Sequence, residues 1–110
     1  MAGPVRGDVV KVPFRFSDLS GAKVRPALVL RELPGNDLII CQITSKPPPY
    51  GEYVKAGPDD FTDAPLPVIP CYVRPLKLFS ADSSIIQGII THFKDHITAN
   101  ALKTVQNTFS

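Results

Sequence analysis

The chain reads as a mainly β protein with one C-terminal helix, folded as a small twisted antiparallel sheet or partly open barrel. Three observations predict this. Short apolar runs separated by turn signals recur from Val9 to Thr91, the pattern of successive short strands. Prolines number 12 in 110 residues, where average usage of about 5% would give roughly half as many, and this favours turns and strand edges over helices. Helical spacing shows only at the end, where Ala101, Leu102, Val105 and Phe109 recur with the period of a helix face.

The first strand is Val9 to Phe16, with Val10, Val12, Phe14 and Phe16 on one face and Lys11, Pro13 and Arg15 on the other. Pro13 predicts a sheet edge or a bulge there. A polar loop, Ser17 to Val24, leads to a second strand, Ala27 to Leu33, apolar enough to be central. Pro34-Gly35-Asn36-Asp37 is a turn signal that makes a hairpin with the third strand, Leu38 to Ser45. The rigid Lys46-Pro47-Pro48-Pro49 loop follows. Glu52 to Ala56 is a short fourth strand and Gly57 to Pro67 an acidic, proline-rich loop. Ile69 to Leu78 is the next strand, with Cys71, Val73 and Leu76 inward, and Ser83 to Thr91 the last, bent near Gly88. Thr98 is the expected N-cap of a helix ending near Thr108.

At 110 residues the whole chain, 1–110, is expected to form one domain that needs neither disulfides nor metal for a core. Net charge is +2. Eight Lys and Arg stand against five Asp and Glu through Ala56, and four against five beyond it, so a local cationic face is available in the N-terminal half. Cys41 and Cys71 lie in apolar runs and read as buried thiols. No apolar run reaches the length of a membrane span, and the N-terminus lacks the apolar core of a signal peptide. A cytoplasmic protein is expected.

No phosphate-binding glycine loop or nucleophile elbow is present. His92 and His96 are four apart but precede the predicted helix without a convincing carboxylate ligand, so no metal site is assigned. What remains is Arg25, Thr44, Ser45 and Arg74 set against a β core, with Lys23, Arg15 and Lys46 as auxiliary cations. Pro26 biases Arg25 towards an extended conformation and so mounts it at a strand mouth. In a hairpin the start of one strand lies near the end of the next, which can bring Arg25 to Thr44. Such a set suits phosphoryl chemistry on RNA. The substrate brings its own nucleophile, the 2′-OH, so the protein need only position it and donate to the developing charge. Arginine offers bidentate contacts to phosphate and threonine a short hydroxyl donor; neither a metal nor another cofactor is called for.

Arg6-Gly7-Asp8-Val9-Val10, then Lys23-Val24-Arg25-Pro26-Ala27-Leu28-Val29-Leu30, then Gln42-Ile43-Thr44-Ser45, in that order and at those separations, resemble the PemK/MazF toxins of type II toxin–antitoxin systems. Tyr72-Val73-Arg74-Pro75 and Leu78-Phe79 are similar to that family's penultimate strand. The resemblance implies an SH3-like, CcdB-type antiparallel β-barrel, a homodimer, and a sequence-specific, metal-independent endoribonuclease that cuts single-stranded RNA at short sequences to a 2′,3′-cyclic phosphate and a 5′-hydroxyl. It places the catalytic arginine on Arg25 and the catalytic hydroxyl on Thr44; Lys23, Ser45, Arg74, Arg15 and Lys46, from the polar set above, are the expected substrate contacts. It also implies a cognate antitoxin whose acidic tail occludes the RNA groove. Some members carry an aspartate, proposed as a general base, where this chain has Leu76. That departure keeps open a second reading, a non-enzymatic binding protein on the same barrel, either gyrase-inhibitor-like or an RNA-binding toxin relative that does not cut.

Overall fold

The computed structural model of the chain describes residues 3–15 and 22–109, with the side chains of residues 14, 15 and 22 outside that description. Six antiparallel strands form a half-barrel: β1 (Asp8–Arg15), β2 (Ala22–Glu32), β3 (Asp37–Thr44), β4 (Val54–Ala56), β5 (Cys71–Asp82) and β6 (Gly88–His92), followed by helix α1 (Asp95–Phe109). Their order across the sheet is β4-β5-β3-β2-β1-β6. The edge strands β4 and β6 do not pair. Instead Phe61, just beyond β4, makes a single antiparallel bridge to Phe93, just beyond β6, and their rings stack with centroids 4.7 Å apart. The predicted partly open barrel is therefore drawn nearly shut by two phenylalanines.

Alternation along the strands divides the interior in two. On one face Val9, Leu28, Leu30, Cys41, Ile43 and Val73 pack with Phe61, Leu66 and Phe93 and with Ile97 and Ala101 of α1. On the other, Val10, Val12, Ala27, Val29, Leu38, Ile40 and Ala81 form a second cluster. Because strands β1 to β3 are apolar on both faces, they sit inside the sheet. Cys41 and Cys71 are buried free thiols, and burial pushes them up to about 12 and about 11 respectively, so both are neutral at physiological pH.

Several boundaries differ from expectation. β1 is flanked by β2 and β6, yet β6 pairs it only as far as Lys11↔Gly88, so Pro13 sits where one side of the strand is open. β2 starts at Ala22, opposite Arg15, which places Arg25 inside a strand rather than at its mouth. Of the predicted Ser17 to Val24 loop, residues 17–21 lie outside the described chain, as does Phe16. Leu76 is not inward: the β3–β5 register jumps from Cys41↔Leu78 to Gln42↔Arg74, the intervening residues bulge, and Leu76 is 43% exposed while Pro75 is buried in its place. The last strand is shorter than expected because Ser83–Ile85 forms a 3-10 turn. The helix begins at Asp95, so Thr98 is buried within it rather than capping it, and Phe109 at its end is 77% exposed. No helix among the described residues is long and apolar enough to cross a membrane.

The Arg6-Gly7-Asp8 motif is architectural. Gly7 N–H donates to the Val29 carbonyl and its own carbonyl accepts from Phe93 N–H. Asp8 accepts from Val5 N–H and lies 2.7 Å from His92 Nδ1. Gly7 has φ +95°, and a Cβ there would stand 2.7 Å from His92 Cε1. Gly7→Ala is expected to combine backbone strain with that clash and to cost about 2 kcal/mol, read as a fall in Tm on the order of 10 °C. An unchanged Tm would show that the His92 ring moves aside freely. His96, in the first turn of α1, lies 3.0 Å from Asp60. The Gly57 N–H, and then His96, hold the Asp60 carboxyl below its ordinary value. Its contribution to stability is thus present above the ordinary carboxylate range and lost as pH falls through the lowered value.

Candidate active site

The β2–β3 ladder runs in unbroken register from Val29↔Ile40 to Ala27↔Gln42 and stops there. Beyond that pair the two strands fork. Continuing the register by two steps sets Arg25 opposite Thr44 across the fork. The neighbouring ladders extend this line in both directions, since Arg25 pairs with Val12, Thr44 with Tyr72, and Tyr72 with Lys55. A row therefore crosses the sheet in the order Lys55, Tyr72, Thr44, Arg25, Val12. Val12 belongs to the second cluster, so all five share that face. Opposed residues of paired adjacent strands lie about 5 Å apart, the spacing of Thr44 to Tyr72 and of Arg25 to Val12 in this row.

Lys23 follows Arg25 on the same face, opposite Phe14. Arg74, opposite Gln42, stands one row over and lines a small hollow of about 80 Å³ with Tyr50, Glu52, Leu76 and Lys77. A carboxylate, Glu52, thus borders the hollow into which Leu76 brings none. Lys46 is exposed in the turn after β3, where its N–H donates to Thr44 Oγ1 at 3.3 Å. That bond uses a lone pair of the hydroxyl and leaves its proton to donate elsewhere. Arg15 ends β1, with its side chain outside the described residues.

At the fork lies a groove of about 390 Å³ whose walls come mostly from the first cluster's side of the sheet. Its polar lining is Arg25, Thr44, Ser45 and Lys11; most of the remainder is apolar, from Pro26, Ile43, Leu66, Pro67, Val68 and Ile90. Arg25, Thr44 and Ser45 are thus brought together, whereas Lys23, Lys46 and Arg74 lie outside the groove. Lys55, Tyr72 and Lys11 were not singled out from the sequence. Lys11 was read only as the solvent side of β1, and the place of Lys55 depends on pairing with a strand far along the chain. Among the described residues no group of three or more His, Cys, Asp or Glu side chains is arranged to hold a metal ion.

The chain is thus a small β half-barrel with one C-terminal helix and an arginine and a threonine lining one groove. The family model described as PemK-like, MazF-like toxin of type II toxin-antitoxin system matches residues 5–109, and the chain belongs to that family. No curated protein sequence matches it. Solved structures share the fold. One, described as MazE-MazF from Deinococcus radiodurans, has 18% identity and a TM-score of 0.73, covering 98% of this chain and 97% of that one. Another, an endoribonuclease in complex with its cognate antitoxin from a mycobacterial species, has 18% identity and a TM-score of 0.66, covering 96% and 92%. A mycobacterial endoribonuclease gives the same identity and score, covering 98% and 91%.

Proposed function

We propose that this toxin is a metal-independent endoribonuclease that cuts single-stranded RNA through the RNA's own 2′-OH. The observation that carries the reading is that Arg25 and Thr44 line one groove, at positions that the β2–β3 register would set opposite if continued beyond Ala27↔Gln42. In the reaction the 2′-OH gives up its proton to water as its oxygen attacks phosphorus, a P–O2′ bond forms, the P–O5′ bond breaks, and the departing O5′ takes a proton from water, leaving a 2′,3′-cyclic phosphate and a 5′-hydroxyl. Arg25 donates in bidentate fashion to the non-bridging oxygens and supplies the positive charge that a metal would otherwise bring. The Thr44 hydroxyl donates to the same developing charge. Lys23, Ser45, Lys46, Lys55, Arg74 and Arg15 carry flanking phosphates. The site of action is the cytoplasm, where messenger RNA is met.

The expected partner is a cognate antitoxin whose acidic extended tail lies over the cationic row and excludes RNA. The chain itself is expected to dimerise. Phe79 and Ile89 pair with Ile40 and Val10, on the face that α1 leaves uncovered, and are 41% and 52% exposed; Ile85 nearby is 42% exposed. Ile89→Asp should convert a dimer to a monomer in sedimentation equilibrium at micromolar concentration. A wild-type monomer under those conditions would refute the dimer.

The activity is tested by incubating the purified chain with a mixed RNA in EDTA and analysing the new ends. Cleavage to cyclic phosphate and 5′-hydroxyl is expected. Intact RNA, with growth arrest in cells arising through DNA damage, would instead favour the gyrase-inhibitor-like reading, and intact but bound RNA the non-cutting relative.

A further inference from the structure

Resting on the ribonuclease reading, we infer that the Tyr72 hydroxyl is a further catalytic group, a hydrogen-bond donor to the scissile phosphate from the side opposite Arg25. In the row across the sheet Thr44 stands between two longer side chains. Tyr72 is its cross-strand partner in the β3–β5 ladder, and Arg25 occupies the position that the β2–β3 register, continued beyond Ala27↔Gln42, sets on its other side. All three share the face of the second cluster. Ile43 and Val73, the chain neighbours of Thr44 and Tyr72, belong to the first cluster, and Arg25 pairs with Val12 of the second. A short residue flanked by two long ones leaves a notch, with the Thr44 hydroxyl as its floor and a guanidinium and a phenol as its walls. Because β2 and β3 cease to pair at the fork, the notch is wider on the Arg25 side than a paired ladder would leave it.

Tyr72 differs from an ordinary packed aromatic in having its ring held and its hydroxyl unspent. It is 8% exposed, and Tyr53 meets its ring edge to face, with centroids 5.3 Å apart and planes at 83°, a preferred arrangement of two aromatic quadrupoles. Among the described residues nothing hydrogen-bonds to Tyr72 Oη, and it is not one of the sealed, unpartnered hydroxyls, which are those of Thr91 and Thr98. A largely buried phenol ordinarily finds a partner, and the one that fits here is the anion on which the row converges. Its O–H donates to a non-bridging oxygen. Donors on both sides of the phosphate hold it in one orientation, and their bonds strengthen as charge grows on those oxygens in the transition state. Lys55, the next residue of the row, lies one strand beyond the notch and meets a flanking phosphate.

The test uses the full-length chain, carbon-13 labelled at the ε positions of its 3 tyrosines, and its Tyr72→Phe variant, which keeps the ring and loses only the hydroxyl. Tyr72→Phe should melt within about 2–3 °C of wild type and cut a short RNA about tenfold more slowly in single turnover, the loss of one hydrogen bond to a charged group. The two phosphorothioate diastereomers of that RNA, in which sulfur, a weak acceptor, replaces one non-bridging oxygen at the cut bond, separate contact from packing. The penalty of Tyr72→Phe should vanish on one diastereomer and persist on the other. An uncleavable RNA of mixed sequence, with 2′-fluoro sugars throughout, should shift the Tyr72 resonance, identified as the one missing from the variant. Cutting by Tyr72→Phe at the wild-type rate, an equal penalty on every substrate, or an unmoved Tyr72 resonance would overturn the proposal and leave the ribonuclease reading in place. If the wild type cuts no RNA, the ribonuclease reading falls and the resonance decides alone: a shift keeps the notch as a phosphate site, and no shift removes it.

Discussion

Arg25→Ala is expected to lower RNA cleavage about 10³-fold, the scale set by removing an arginine that neutralises a phosphoryl transition state. The residue is exposed on β2, so the same substitution should leave Tm within about 2–3 °C of wild type. Activity and stability then separate, which a merely structural arginine would not allow. Arg25→Lys is expected to recover only a small part of the loss, because a single ammonium cannot make two parallel bonds to one phosphate. A single-turnover assay on a short RNA well below Tm measures both variants. Wild-type rates for Arg25→Ala would remove Arg25 from the site.

Thr44→Ala is expected to cost about 10²-fold, the loss associated with one hydroxyl or amide donor at a developing oxyanion. Here stability and activity must be disentangled with more care. Thr44 Oγ1 also accepts the Lys46 N–H, so its removal frees the turn after β3 and costs on the order of 1 kcal/mol. Thr44→Ser restores both the acceptor and the donor and should bring back most of the rate. Thr44→Val keeps the shape without the hydroxyl and should behave like Ala. If Val and Ser are equally active, the hydroxyl only closes the turn.

The elements legible in the sequence were those whose signal is local. The Pro34-Gly35-Asn36-Asp37 turn, the apolar third strand and the polar residues at its end were readable, because each depends on neighbours in the chain. Arg25 and Thr44 were found this way, as polar groups flanking the two strands of one hairpin. What was not legible depends on pairing across long separations. β2 extends back to Ala22 because β1 supplies partners as far as Arg15, overriding the polar look of Lys23-Val24-Arg25. Leu76 turns outward because β5 bulges against β3, an irregularity that strand alternation cannot register. Tyr72 and Lys55 join the row only through the β3–β5 and β4–β5 registers. Lys11 borders the groove only through the β1–β2 pairing that sets it opposite Pro26. At the C-terminus the helical period was correct, but it was counted from Ala101, which hid the first turn at Asp95 and the buried Ile97.

The division between architecture and chemistry also became clear only in three dimensions. Arg6-Gly7-Asp8, as prominent in the sequence as the Arg25 motif, ties β1 to His92 and Phe93 through Gly7 and Asp8, far from the row. Its role is to seat β6 and the start of α1 against β1, and so to fix the sheet on which Arg25 and Thr44 meet.

The central claim is that the RNA supplies the nucleophile while Arg25 and Thr44 stabilise the charge it creates. One measurement addresses it most directly: cleavage in EDTA of an RNA carrying a single 2′-deoxy sugar immediately 5′ of the bond that is cut in the all-ribose strand. Complete protection of that bond, with the fully ribose control cut to a cyclic phosphate, is the predicted result. Cutting of the substituted bond at the control rate would show that a nucleophile other than the 2′-OH attacks, and would contradict the account.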